Sequence, residues 1–381
     1  MPSVTAPAFN PAALLLYCRP GFERECAQEI SAACTGQSVA GAVRSKAGTG
    51  YVEFVPSDDG AGARLRAHLR FEYLVFARQL IFAAPWIVDL PVADRVGALL
   101  PAIAAFGTAF GAVWLETADT NEAKELGAFC RKFAPPFEQA LKAASLLREG
   151  EPGLPRLHLF FAGSTTVCAG LSDPGNSSPW PMGVPRLRLP PHAPSRSTQK
   201  LAEALHLWLP PAEDRRLLRE GATAVDLGAA PGGWTWQLVR RGVRVTAVDN
   251  GPMAAPLLET GLVEHVRADG FRYRPRRPVD WMVCDMVEQP IRVAELVADW
   301  FAGGWCTHSI FNLKLPMKKR YEELERCRGA MRERWRAAGV TCTLRFKHLY
   351  HDREEVTGYA QRTDEPRKKR QRGADQALRS K

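Results

Sequence analysis

The spacing of hydrophobic and polar positions divides the chain into two unlike halves. In the first half, alternating or continuous apolar runs predict strands at five places: 51–56, 74–84, 112–117, 157–163 and 165–171. Helical spacing predicts helices at three places: 21–34, 92–106 and 121–144. Because proline lacks a backbone donor, Pro135 and Pro136 are expected to interrupt the third helix. This mixture predicts an α+β region.

In the second half, strand-like and helical patterns alternate along the chain. The strand-like segments are TAVDLG, VRVTAVDN, VDWMVCDMV, HSIFNLKLP and CTLRFKHLYH, and the helical segments between them include PMAAPLLETGL, IRVAELVADWFAGG and YEELERCRGAMRERWRAAG. Such alternation predicts an α/β domain with a Rossmann-like, doubly wound and mostly parallel sheet. Ligands of these sheets bind outside the carboxyl ends of the strands, so functional residues are expected there.

A proline-rich segment, 173–195, separates the two halves. It contains seven of the 29 prolines of the chain. Proline fixes φ and removes a donor, so neither an ordinary helix nor a central strand is expected in this segment. We therefore interpret it as an extended linker and as the main domain boundary.

A glycine-rich loop follows the first strand of the second half. It runs from Gly228 to Gly233, where small residues allow a ligand to approach the backbone and the helix N-terminus. Its order, G-A-A-P-G-G, lacks the second glycine of the dinucleotide fingerprint, and Asp226 would repel a pyrophosphate. Asp249, about 20 residues on, suits ribose hydroxyls, and Asp269 suits an adenine amino group. A nucleoside with a cationic end, S-adenosylmethionine, satisfies this pattern.

A second set of polar residues occupies apolar or strand-end positions. Lys200 lies in a helix before the first strand, Asp285 ends the strand WMVCDM, and Lys314 interrupts the strand IFNLKLP. The segment HDREEV supplies a further carboxylate, from either Glu354 or Glu355. A lysine inside an apolar strand is costly unless it is paired or functional. Two lysines and two carboxylates around one cleft can deprotonate a sugar hydroxyl, because burial or a second cation lowers the pKa of a lysine from about 10.4.

Composition and charge narrow the choice of partners. The 381 residues contain no apolar run near the roughly 20 residues of a membrane helix, and the start lacks signal-peptide features, so a cytoplasmic location is expected. The nine cysteines form no CxxC pair, so neither a zinc site nor a disulfide framework is indicated. The net charge is +10, and the tail 365–381 has seven basic and two acidic residues. This distribution favours a nucleic acid over an acidic membrane.

Seven motifs within residues 194–358 together resemble one bacterial enzyme family. They are SRSTQKL, DLGAAPGGWTWQLV, VDNGPM, ADGF, WMVCDMVEQP, FNLKLPMKKRYEE and LYHDREEVT. They are similar to motifs of the 23S rRNA 2′-O-ribose cytidine methyltransferase M family and, more broadly, of the FtsJ-like ribose methyltransferases. The resemblance implies a catalytic tetrad with Lys314 as proton acceptor, made of Lys200, Asp285, Lys314 and Glu355. The position just before valine favours Glu355 over Glu354.

The same resemblance implies a donor site, a domain order and a partner. The implied donor-binding residues are Ser197, Ala230, Pro231, Gly232, Gly233, Asp249, Asp269 and Asp285. The implied order is a ferredoxin-like subdomain (1–90), a THUMP-type RNA-binding domain (91–172), the linker (173–195), the methyltransferase domain (196–364) and a basic disordered tail (365–381). The expected partner is 23S rRNA, unfolded or not yet assembled, with no membrane and no metal. The oligomeric state stays open, with a monomer favoured.

Other functions fit the pattern less well. An amino-methylating base methyltransferase needs an (Asp/Asn)-Pro-Pro-(Tyr/Phe) loop, and the nearest string, 134–137, lacks the acceptor and lies in the wrong half. A cytosine-C5 enzyme needs a catalytic cysteine, and Cys284 would point to the opposite face of its strand from Asp285. The missing glycine disfavours a dehydrogenase. The main alternative is a non-catalytic rRNA-binding or assembly protein that retains the fold, which predicts a broken tetrad.

Overall fold

The computed structural model describes residues 9–364, which form two seven-stranded sheets with helices packed against them. The basic tail predicted at 365–381 lies outside the described residues. None of the helices between residues 9 and 364 is long and apolar enough to cross a lipid bilayer.

The first sheet comes from the N-terminal half, with the strand order β2-β3-β1-β4-β7-β6-β5. Its strands are β1 (Ala13–Tyr17), β2 (Gly41–Ser45), β3 (Tyr51–Pro56), β4 (Gln79–Ala83), β5 (Ala112–Thr117), β6 (Arg156–Phe161) and β7 (Val167–Ser172). Its helices are α1 (Glu23–Gly36), α2 (Ala61–His68), α3 (Arg95–Ala104) and α4 (Lys124–Ala143). β5 and β6 are parallel, and the other neighbouring strands are antiparallel. The α+β prediction for this half is therefore confirmed.

The strand predicted at 74–84 is shorter in the structure, because β4 begins only at Gln79. The backbone N–H groups of Val75 and Phe76 donate to the buried carboxylate of Glu29 on α1. These donors are therefore unavailable for a strand ladder, and the chain enters β4 by an irregular path.

The predicted interruption at Pro135 and Pro136 is wrong, since α4 runs unbroken through both prolines. Phe133 stacks on Phe137 with ring centroids 5.5 Å apart, and both Phe137 and Leu141 are fully buried. Burial of this helix face offsets the backbone hydrogen bonds that the two prolines cannot make. Tertiary packing thus overrides the local signal.

The proline-rich segment 173–195 contains no strand and no α-helix. Its regular parts are two 3₁₀ turns, Pro174–Asn176 and Pro181–Gly183. The segment is nevertheless attached to the first sheet, because the N–H of Met182 donates to the Glu116 carboxylate. Glu116 is itself buried and accepts a hydrogen bond of 2.8 Å from the Tyr17 hydroxyl on β1.

The second sheet comes from the C-terminal half, with the strand order β10-β9-β8-β11-β12-β14-β13. Its strands are β8 (Thr223–Leu227), β9 (Arg244–Val248), β10 (Val263–Val266), β11 (Val279–Cys284), β12 (Cys306–Lys314), β13 (Cys342–Lys347) and β14 (Glu355–Arg362). Its helices are α5 (Thr198–Trp208), α6 (Pro211–Leu217), α7 (Gly233–Val239), α8 (Ala255–Leu258), α9 (Pro290–Ala302) and α10 (Arg320–Ala338). β14 is antiparallel to both neighbours, while β8 to β12 are parallel. The Rossmann-like prediction is confirmed.

The two halves meet at the segment 348–354, which connects β13 to β14. The ring of His348 packs on Phe22 with centroids 4.1 Å apart. The guanidinium of Arg19, from the N-terminal half, donates to the backbone carbonyl of Asp352 at 2.8 Å. The segment that leads into β14 is therefore held by the other half of the chain.

Candidate active site

A cleft of about 560 Å³ lies at the carboxyl ends of the parallel strands. Four of the residues predicted to bind the donor line it: Ala230, Asp249, Asp269 and Asp285. Its volume lies within the range usual for small-molecule sites. The position agrees with the rule that ligands bind outside the carboxyl ends of strands in doubly wound sheets.

The remaining predicted donor residues shape the loop and do not line the cleft. Gly232 adopts φ of +116°, a conformation that favours glycine, and it precedes α7. A Cβ at Gly233 would clash with the hydroxyls of Ser195 and Ser197, so this glycine allows close packing of two segments. Those two hydroxyls lie 2.7 Å apart. Pro231 follows a cis peptide bond within the same turn.

Two of the acidic residues that line the cleft, Asp249 and Asp269, are held by backbone donors. Asp249 accepts from the N–H of Ala230 at 3.0 Å and from the N–H of Gly251 at 2.7 Å. Asp269 is exposed and accepts from the N–H of Phe271 at 2.9 Å. Each carboxylate has a fixed orientation and further lone pairs for a ligand hydroxyl or amino group.

Asp226 lies beneath the loop and is 1% exposed. Its Oδ2 accepts from the Thr235 hydroxyl at 2.7 Å, while its Oδ1 is buried without a hydrogen-bond partner. Burial is the main cause that raises the pKa of Asp226 to about 7, with smaller raising effects from Asp285 and Asp249 and a lowering effect from the hydrogen bond with Thr235. A buried acceptor of this kind suits the cationic amino-acid end of S-adenosylmethionine.

The four residues of the predicted tetrad come together beside this cleft from three strands and a helix. Lys314 ends β12 and Glu355 begins β14, and the two are register partners. Asp285 follows the last residue of β11, and Lys200 projects from α5. The antiparallel direction of β14 brings the first residue of that strand to the same sheet edge as the ends of the parallel strands.

The tetrad alternates positive and negative groups at short distances. Lys314 Nζ lies 2.9 Å from Asp285 Oδ1 and 3.7 Å from Glu355 Oε1. Lys200 Nζ lies 3.8 Å from Asp285 Oδ2 and contacts Glu355 Oε1 directly. Each lysine therefore contacts both carboxylates, and the two positive charges balance the two negative ones.

This arrangement shifts the protonation equilibria of two members. Burial disfavours the charged form of Lys200, but the carboxylates of Asp285 and Glu355 outweigh it and raise the pKa of Lys200. Burial would raise the pKa of Glu355, but Lys200 and Lys314 together lower it. Lys200 thus stays cationic and Glu355 anionic at neutral pH.

The neighbouring glutamates of HDREEV have different environments. Glu355 is 6% exposed and faces the two lysines. Glu354 has a side chain that is 52% exposed and pairs with Arg320 on α10 at 2.6 Å. The geometry agrees with the choice of Glu355 over Glu354.

Three polar residues near the tetrad are missing from the sequence-based set. Asn312, Asp352 and Thr357 are fully buried and hydrogen-bonded in a chain that ends at Asp285. Asn312 carries the same signal as Lys314, a polar residue within the apolar run of β12, whereas Asp352 and Thr357 lie in a polar segment that gives no such signal.

Three family models match consecutive parts of the chain. The RlmM ferredoxin-like domain matches residues 12–81, the N-terminal domain of ribosomal RNA large subunit methyltransferase M matches 94–173, and the FtsJ-like methyltransferase matches 193–306. Together with the cleft at the sheet edge, these matches define the class. The chain is a methyltransferase with a Rossmann-like catalytic domain that uses S-adenosylmethionine.

Relatives of known name match almost the whole chain. One from Methylococcus capsulatus is 57% identical over 350 residues, covering 92% of this chain and 98% of its own. One from Azoarcus sp. is 51% identical over 359 residues, covering 93% and 97%. Both are named Ribosomal RNA large subunit methyltransferase M. The chain belongs to this family and is an rRNA methyltransferase.

A solved structure, that of TrmN from Thermus thermophilus, also aligns with the chain. It is 16% identical and covers 92% of this chain and 99% of its own, with a TM-score of 0.33. That score is too low to bear on the function of the chain.

Proposed function

We propose that the chain transfers a methyl group from S-adenosylmethionine to the ribose 2′-OH of a cytidine in 23S rRNA. The main observation behind this proposal is that Asp285 belongs both to the donor cleft and to the tetrad. It lines the donor cleft, and it also accepts from Lys314 within the tetrad. The donor site and a proton-accepting group therefore share one carboxylate. The cytidine and the 23S rRNA come from the resemblance of the motifs and the names of the relatives.

The tetrad has the properties that this reaction needs. A bound S-adenosylmethionine supplies an activated methyl group, so the protein has to activate only the acceptor hydroxyl. Lys314 is placed to take the ribose proton at Nζ, a step that uses its neutral form, and Asp285 contacts both Lys314 and Lys200. Asp285 and Glu355 orient the two ammonium groups.

The surroundings of the tetrad suit an RNA strand. Val287 and Met317 follow Asp285 and Lys314 in the chain and are 89% and 77% exposed. The exposed residues 318–319 add two lysine charges directly after Met317. Exposed apolar groups next to cations favour a nucleotide with its phosphates, so we expect binding that weakens strongly with salt.

We further propose that residues 91–172 form a THUMP-type domain that binds the RNA, following the ferredoxin-like part of the chain. The family model for the N-terminal domain covers residues 94–173. A ribose buried inside a finished ribosomal subunit is out of reach, so the substrate is unfolded or unassembled rRNA. This substrate places the reaction in the cytoplasm.

The proposal is tested by mapping 2′-O-methyl groups on 23S rRNA from cells with the gene, without it, and with Lys314→Ala. One cytidine is expected to lose its methyl group in the deletion strain and in the Lys314→Ala strain. Calorimetry is expected to show that Lys314→Ala still binds S-adenosylmethionine. If Lys314→Ala restores the methyl group at the wild-type level, the assigned role of Lys314 is wrong. A chain that only binds rRNA would leave the methylation map unchanged on deletion.

A further inference from the structure

A buried polar chain leads from the tetrad into the sheet. Asn312 Nδ2 donates to Asp285 Oδ1 at 2.8 Å, the same oxygen that accepts from Lys314 at 2.9 Å. The hydroxyl of Thr357 lies 2.7 Å from Asn312 Oδ1. The carboxyl oxygens of Asp352 lie 3.1 Å and 2.9 Å from the same hydroxyl. Asn312, Thr357 and Asp352 are fully buried, so water does not compete for these bonds.

The direction of each hydrogen bond follows from the atoms available. The Asp285 carboxylate accepts only, so Asn312 turns its amide nitrogen to Asp285 and its oxygen to Thr357. Thr357 has one hydroxyl proton, and Asn312 receives it. The bond between Thr357 and Asp352 then requires a proton on Asp352. The N–H of Leu349 donates to Asp352 Oδ2 at 3.0 Å, which leaves Oδ1 to carry that proton.

The charged groups around Asp352 agree with a protonated carboxyl. Burial raises the pKa of Asp352 well above its ordinary value, and the neighbouring Glu355 raises it further. Lys200 lowers this pKa and Glu203 raises it, so the nearby charges do not reverse the effect of burial. Arg19 donates to the backbone carbonyl of Asp352, and its charge does not pair with the carboxyl.

We infer that Asp352 is a neutral acid that positions the Asp285–Lys314 pair through Thr357 and Asn312. The inference rests on the proposed function, because this pair contains the proton acceptor. Asp352 does not touch the reacting atoms and is a positioning residue. It fixes Thr357, Thr357 fixes the amide of Asn312, and the amide draws negative charge from Asp285 Oδ1. The same oxygen accepts from Lys314, so the amide sets the position in which Asp285 holds the Lys314 ammonium.

The test uses variants that distinguish the loss of a hydrogen-bond donor from a change in side-chain shape. In Asp352→Asn an N–H donor replaces the O–H donor, so kcat at saturating RNA is expected to stay within about threefold of wild type. Thr357→Ser keeps the hydroxyl and is expected to behave in the same way. Thr357→Val keeps the shape without the hydroxyl, and its kcat is expected to fall about tenfold with donor Kd unchanged.

Two results would overturn the inference: Asp352→Asn losing as much kcat as Thr357→Val, or Thr357→Val leaving kcat unchanged. An infrared difference spectrum of wild type against Asp352→Asn at pH 7 tests the proton without any reaction. The band of a neutral carboxylic acid is expected, and a carboxylate band would contradict the inference. If the proposed function itself failed, wild type would not methylate ribose, yet the neutral-acid band would still be present.

Discussion

Lys314 and Glu355 stand opposite each other on antiparallel strands β12 and β14, with Nζ and Oε1 3.7 Å apart. One residue ends its strand and the other begins its strand, so both side chains reach the same sheet edge. The neighbouring Glu354 projects to solvent and Arg320 instead. This difference between adjacent glutamates provides a matched pair of variants.

Glu355→Gln is expected to lower the rate of methyl transfer about a hundredfold, while Glu354→Gln leaves it within about twofold. The first change removes a carboxylate that contacts the ammonium groups of Lys200 and Lys314. The second removes a half-exposed carboxylate whose partner, Arg320, keeps a second carboxylate neighbour in Glu25. Single-turnover transfer of a labelled methyl group to unmodified rRNA measures both. Equal losses in the two variants would show that Glu355 has no special role.

Donor affinity is expected to rise with pH through the titration of Asp226. Its pKa is about 7 and only the ionised form attracts a cationic amino group, so affinity increases as pH rises. Between pH 6 and pH 7.5 the increase is roughly eightfold if the neutral form does not contribute. Calorimetry with S-adenosylmethionine measures it. Asp226→Asn, or methylthioadenosine as a ligand that lacks the amino acid, is expected to give a flat profile, and a slope in either control would exclude Asp226 as the cause.

Alanine substitutions at two glycines that flank β8 distinguish the effect of backbone strain from the loss of the donor site. Gly228 and Gly221 both have positive φ, +78° and +84°, so alanine at either costs about 1–2 kcal/mol of stability. A Cβ at Gly221 meets nothing within 4 Å, whereas at Gly228 it would lie 2.6 Å from the Met286 side chain in the cleft. Both alanine variants are expected to unfold at lower temperature, but only Gly228→Ala should lose donor affinity, by about tenfold or more. Unchanged affinity in Gly228→Ala would place the donor elsewhere.

Arg19→Ala is expected to lower kcat about fivefold with the affinity for S-adenosylmethionine unchanged. Arg19 holds the backbone at Asp352, close to the start of β14, and its loss loosens the placement of Glu355. Saturating rRNA removes any effect of the lost charge on binding. Arg64→Ala, which removes an exposed charge from α2 of the same half, serves as the control. Equal kcat values for the two variants would mean that the contact of Arg19 does not reach the site.

Much of the second sheet could be predicted because its residues combine a strong hydrophobic period with specific loop chemistry. β8, β9, β11 and β12 all lie where the pattern predicts strands. β14 was not predicted, because EVTGYAQR mixes apolar with polar positions. β1 was not predicted either, since a run as short as ALLLY does not by itself distinguish a buried strand from part of a buried helix.

The residues of the site also differ in whether the sequence reveals them. Lys200, Asp285 and Lys314 are visible as charges in apolar or strand-end positions. Asp352 and Thr357 are not, because an aspartate and a threonine in a polar segment give no sign of burial until β12 and β14 are paired. The division of the chain into domains at 90, 172 and 195 stays a prediction.

Because Arg19 of the N-terminal half holds the backbone at Asp352, the methyltransferase domain alone does not contain everything that full activity requires. A fragment that starts at the proline-rich segment would contain every residue of the tetrad and the donor cleft. It would nevertheless lack Arg19 and Phe22, which hold the segment before Glu355. The smallest unit with full activity is therefore larger than the domain that carries the chemistry, and shortening the chain from its N-terminal side would cost rate before it costs donor binding.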